Sequence, residues 1–85
     1  MNNVIMRKVV VGANYTPLTS KSIEIGSVDV STPPTNSGTV FFKGDDGNDV
    51  PWTQGEYHTL KSINLADLRV KGTPGDVVTI IGGTW

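Results

Sequence analysis

The stretch Ser22-Ile23-Glu24-Ile25-Gly26-Ser27-Val28-Asp29-Val30-Ser31-Thr32-Pro33-Pro34 decides the fold class. Ile23 and Ile25 alternate with polar residues, which is the two-residue period of a strand with one buried face. Val28 and Val30 keep the period in the opposite phase, across Gly26-Ser27. A slip of one residue beside a glycine predicts a β-bulge that returns both apolar pairs to the core. Pro33-Pro34 then stops the ladder, because proline has no N–H to donate.

Reading outward finds the same punctuation, with short β-branched runs between Gly, Pro, Asn and Asp clusters. Val4 to Val11 is a strand candidate, and Val9-Val10-Val11 predicts that part of it is covered on both faces. Tyr15-Thr16-Pro17-Leu18 reads as a connection. On the other side, Thr39 to Lys43 and Glu56 to Leu60 read as strands. Between them lies the polar loop Gly44 to Asp49, followed by the apolar group Val50-Pro51-Trp52. Ile63 to Leu68 gives the one hint of helix, a single turn capped by Asn64. Thr73-Pro74-Gly75-Asp76 has the residues of a type II turn and predicts a hairpin between Leu68–Lys71 and Asp76–Ile81. The expectation is one all-β domain over residues 1–85. Its form is a small antiparallel β-sandwich or jelly-roll-like barrel of about six to eight strands.

Eighty-five residues make one small domain, which buries only about 60–65% of its unfolded surface. No cysteine is present and histidine occurs once, so disulfides and the usual Cys/His zinc sets are excluded. Formal charge is −1. Arg7 and Lys8 adjoin, but the other cations are scattered, so no phosphate-binding face is expected. Charged residues reach only 18%, and Thr, Ser, Asn and Gly fill the surface instead. Such a surface costs less to desolvate against a partner than one covered in Lys and Glu. The opening segment is broken by two cations with no cleavage site after it, and Val77–Ile81 is too short to span a bilayer. The chain is therefore expected to be made in the cytosol, without export.

Chemistry is sparse. His58 is the only side chain whose ordinary pKa suits a base at neutral pH, and it reads as a half-exposed strand residue. No nucleophile elbow or phosphate loop is present. Asp45, Asp46, Asn48 and Asp49 lack the calcium-loop spacing and read as a solvated hairpin tip around Gly47. Glu24 and Glu56 are the only glutamates, on outward positions. No enzyme activity, cofactor or metal is expected.

Two tryptophans carry more information. Each would bury about 150–250 Å² and needs a partner for its N–H. Trp52 follows Pro51, and Trp85 follows Thr84. Either ring folds back as a lid on the core, or it anchors a contact between subunits. The candidate partner-contact set is Pro51, Trp52, Thr84 and Trp85.

Four stretches carry a resemblance. They are Asn36-Ser37-Gly38-Thr39-Val40-Phe41-Phe42, Gly55-Glu56-Tyr57-His58-Thr59-Leu60, Asp67-Leu68-Arg69-Val70-Lys71-Gly72 and Gly75-Asp76-Val77-Val78. In this order they resemble small virion-associated β proteins of tailed bacteriophages. The resemblance spans about half the chain, and Gln54 stands where that pattern has proline. It implies a capsid decoration (cement) protein, or a component of a head fibre, neck or tail. It also implies a virion location, the major capsid protein or other virion proteins as partners, and a symmetric homo-oligomer, often a trimer. No catalytic residue is transferred by it. The alternative is a carbohydrate- or receptor-binding fibre module, with Trp52 or Tyr57 as an aromatic platform beside Asp45–Asp49. A small hydrolase or isomerase would instead need a cleft around His58.

Overall fold

The computed structural model describes residues 3–45 and 47–84, the side chains of residues 3 and 84 apart. The strands are β1 (Asn3–Val10), β2 (Thr16–Pro17), β3 (Glu24–Ser31) and β4 (Val40–Lys43), then β5 (Val50–Trp52), β6 (Tyr57–Asn64), β7 (Arg69–Lys71) and β8 (Val77–Thr84). They pair first with last: β1 with β8, β2 with β7, β3 with β6 and β4 with β5, all antiparallel. Rolling this ribbon of pairs adds β3 against β8 and β4 against β7. The products are two four-stranded sheets, β1-β8-β3-β6 and β2-β7-β4-β5. That is the strand order of a jelly roll, built as a small antiparallel sandwich.

The core lies between the sheets. Val28, Val30, Val78 and Ile80 come from the first sheet; Val40, Phe42, Trp52 and Val70 come from the second. Val11, Leu18 and Leu65 fill in from the connections. The expected turn at Ile63–Leu68 is a 3-10 turn, Leu65–Asp67, with the Asn64 side chain accepting from the Ala66 N–H at 3.0 Å.

Four strand expectations change in the structure. The phase slip at Gly26-Ser27 is real, since Ile25, Val28 and Val30 are all buried. It is not a bulge of one strand, because β3 and β6 keep the same register on both sides of it. β6 makes the same slip opposite: Leu60 and Ile63 both pack on the core, and Ser62 between them adopts a φ of 54°. Thr73–Asp76 forms its turn, with Gly75 at φ 96° and the Asp76 N–H donating to the Thr73 carbonyl at 3.0 Å. It does not make a hairpin, because β7 and β8 belong to different sheets. The run Val77–Ile81 is apolar on both faces and settles inside the first sheet, between β1 and β3.

Thr16–Pro17 is a two-residue edge strand rather than a plain connection. Pro17 tolerates the edge, and the next N–H, of Leu18, donates to the Leu68 carbonyl at 2.7 Å. Val10 points to the outer face of the first sheet and is exposed instead of covered, Val9 beside it packs partly on the core, and Val11 beyond the strand is buried.

A second turn repeats the Thr-x-Gly-acid form at Thr53-Gln54-Gly55-Glu56. Gly55 has φ 83°, and the Glu56 N–H donates to the Thr53 carbonyl at 3.1 Å. Gln54 holds the position that proline prefers in such a turn, and its N–H donates no hydrogen bond among the described residues. Gln54→Pro is therefore expected to stabilise the domain by about 0.4–1 kcal/mol, by restricting the unfolded chain. Chemical denaturation checks this: the midpoint should rise with the slope unchanged.

Candidate interaction surfaces

Alternation along β1, β8, β3 and β6 sends a second set of side chains outward from the first sheet. Half of this face is largely apolar: Val4, Met6 and Val10 of β1 are 79%, 69% and 61% exposed, with Lys8 between Met6 and Val10, and Ile81 of β8 is 52% exposed. Met6 lies directly opposite Ile81. The other half is hydroxyl-rich. The Thr59 hydroxyl donates to Asp29 at 2.7 Å, and the Ser31 and Thr79 hydroxyls hydrogen-bond across β3 and β8. Exposed apolar residues grouped beside satisfied hydroxyls make a face suited to protein contact.

The outer face of the second sheet differs. Lys43 and Arg69 are cross-strand partners, and Lys71 follows on the same side of β7. Tyr15 lies beneath two of these cations, with Lys43 Nζ 4.3 Å and Lys71 Nζ 4.9 Å from its ring centroid. Its hydroxyl donates to Asp49 at 2.6 Å, tying the β4–β5 loop to the sheet. Burial first, and then the Asp49 carboxylate, push the Tyr15 pKa up to about 12. The expectation of scattered cations is corrected here. Arg69 and Lys71 sit two apart on one strand, which the sequence displays, but Lys43 joins them only through the β4–β7 register.

The β3–β4 and β7–β8 connections are clasped together by two buried polar side chains, and the start of the β1–β2 connection joins them through backbone bonds, the Val11 N–H donating to the Asp76 carbonyl at 2.8 Å. Asn36 continues the β8 ladder where β3 has ended: its amide donates to the Val77 carbonyl at 2.9 Å, and its oxygen accepts from the Val77 N–H at 3.0 Å. The Asp76 carboxylate accepts from the Ser37 and Gly38 N–H groups, both at 2.9 Å, and from the Ser37 hydroxyl at 3.0 Å. The Ser37 N–H leads in holding the Asp76 pKa below the ordinary carboxylate value, with Gly38 and the hydroxyl adding to it and partial burial opposing.

A depressed folded-state pKa gives stability that is present above the unfolded value, about 3.9 for aspartate, and is lost as pH falls through the folded value. Asp76→Asn turns an amide toward the Gly38 N–H and removes that contribution. Its Tm should lie below that of the parent at pH 7, and the gap should close as pH falls below about 4. Thermal melts of both proteins from pH 7 to pH 2 test this; a gap that stays constant would contradict the role given to the carboxylate.

An open trough of about 570 Å³ lies between β6 and the β4–β5 loop. Leu60, Ile63 and Leu68 form its apolar floor, and Asp45 and Asp67 stand at its rim. His58 lies elsewhere, half-exposed on β6, with Nε2 2.7 Å from Glu56 Oε2 and its ring edge-on to Trp52. The His58 contact leads in lowering the Glu56 pKa, followed by the Thr53 N–H.

Of the candidate contact residues, Pro51 and Trp52 lie on β5 in the second sheet and the Thr84 backbone on β8 in the first. Pro51 is exposed on β5. Trp52 is only 8% exposed and stacks on Phe42 with centroids 3.9 Å apart, so its ring belongs to the core and not to a surface platform. The Thr84 backbone pairs with Asn3 at the end of β8. The Thr84 side chain and Trp85, like Asp46 of the acidic loop, lie outside the described residues. Gly47 takes the positive φ expected of a hairpin tip, at 77°. The apolar face, which runs across two strands far apart in sequence, was not read from the sequence, although Val4, Met6 and Val10 show the outward period of β1. No family model, curated protein sequence or solved structure matches the chain.

Proposed function

We propose that this chain is a structural protein of a bacteriophage particle, a capsid decoration (cement) protein acting through protein–protein contact and not through catalysis. The observation that carries the reading is the outer face of the first sheet, where Val4, Met6, Val10 and Ile81 are exposed beside Thr79, Ser31 and Thr59. An apolar patch among hydroxyls and few charges forms modest, wet contacts, and many copies on a shell add these into a large total. The proposed partners are the major capsid protein and further copies of this chain, in a symmetric oligomer for which a trimer is favoured. The fibre-module alternative loses its Trp52 platform, since that ring packs on Phe42 and His58.

Mass spectrometry of purified particles tests the reading. The polypeptide is expected in tens to hundreds of copies per particle, on the order that multivalent attachment requires. Its absence from particles ends the proposal. Met6→Thr with Ile81→Thr should sharply weaken attachment to empty shells while leaving the melting curve close to that of the parent, because both side chains face outward and threonine suits a strand without setting like charges opposite one another.

A further inference from the structure

The sheet that carries the apolar face is open at both edges, with β1 at one side and β6 at the other. Each edge strand is eight residues long, and neither contains a proline that would blunt it. Four strands alternating in direction leave β1 and β6 running opposite ways. A second copy displaced sideways, and turned to follow the twist of the sheet, therefore presents its β6 antiparallel to β1 of the first. We propose that copies of this chain join head to tail in this manner, so that the sheet continues from one copy to the next. The inference deepens the structural reading above by naming one partner, and rests on it for its biological sense.

Side chains directly opposite in an antiparallel pair share a face. Setting the two strands end to end places Val10 opposite Tyr57, Lys8 opposite Thr59 and Met6 opposite Lys61, all on the outer face. Arg7 then falls opposite Leu60 on the inner face. No like charges meet directly. Val10 and Tyr57 are 61% and 67% exposed, and this register covers each with the other. Met6 lies along the aliphatic stem of Lys61. The kink at Ser62 falls beyond this matched stretch. Pairing β1 with itself about a two-fold axis centred on Arg7 or Lys8 would instead set like cations directly opposite one another. A head-to-tail contact leaves a free edge at each end, so association passes beyond dimers, to a ring where the rotation between copies closes and to a filament where it does not.

The chain has no cysteine, which makes crosslinking clean. Val10→Cys and Tyr57→Cys placed in one chain should give, on oxidation, a ladder of dimers, trimers and larger species. Each single variant should stay monomeric on a non-reducing gel, and so should the out-of-register pair Val4→Cys with Tyr57→Cys. Sedimentation of the parent chain should show species larger than dimers. Thr59→Lys, which sets a second cation opposite Lys8, should shift them to monomers, and adding Lys8→Glu should restore them. Crosslinked dimers from Val10→Cys alone would indicate a two-fold contact and overturn the proposal, as would a monomeric parent with no ladder. A chain present in particles yet monomeric and without a ladder ends this contact alone; one that ladders but is absent from particles ends the capsid reading alone.

Discussion

Replacing Trp52 by alanine is expected to lower stability by about 3–5 kcal/mol, the usual cost of removing a large aromatic side chain from a core. The ring is 8% exposed, stacks on Phe42 at 26° between planes, and takes the edge of His58 at 4.6 Å. A domain of this size commands roughly 4–13 kcal/mol in total, so the loss consumes a large share of the margin. The melting temperature should fall by about 15–30 °C, and more of the chain should be unfolded at 37 °C. Trp52→Phe should recover much of the loss, since a smaller ring still stacks on Phe42. Thermal melts followed by circular dichroism decide the matter. A ring acting as a surface anchor would leave the melt unchanged and weaken only binding, and that result would remove Trp52 from the core.

The same residue shows where sequence reading stops. Alternation located six of the strands, because Ile25, Val30, Phe42 and Val70 sit at positions whose period reports one buried face. β2 and β5 escaped it, being two and three residues long and each holding a proline. Their status as strands comes from neighbours, β7 for Thr16–Pro17 and β4 for Val50–Trp52, and not from their own pattern. Trp52 became a core residue for that reason: the β4–β5 register sets it opposite the fully buried Val40. Turn chemistry was legible at Thr73–Asp76, yet the turn does not say whether the next strand returns alongside or crosses to the other sheet. The candidate surfaces were the least legible. Val4, Met6, Val10 and Ile81 form a patch only once β1 and β8 are paired, and Lys43 meets Arg69 only across β4 and β7.

Gly82→Ala should be the most damaging single-methyl change in the domain. Gly82 faces inward from β8, opposite Ile5 on one side and Val28 on the other. A Cβ there would fall 2.8 Å from both Cα and Cβ of Val28 and would also meet the Ser27 carbonyl oxygen. The crowding has a source in the sequence. Val28, turned inward just after the slip at Gly26-Ser27, lies directly opposite Gly82, and only a residue without a side chain leaves room for it. Two of the three close atoms are backbone, so no rotamer change relieves the clash; β3 and β8, the two central strands of their sheet, must part. The expected loss is about 3 kcal/mol or more, at the upper end of overpacking costs. Gly12→Ala is the matched control. Among the described residues nothing lies within 4 Å of a Cβ at that position, and its stability should stay within about 0.5 kcal/mol of the parent. Urea denaturation of the two variants beside the parent measures both effects, and equal midpoints for Gly82→Ala and Gly12→Ala would mean that β3 and β8 do not approach as closely as the pairing of Val28 with Gly82 requires.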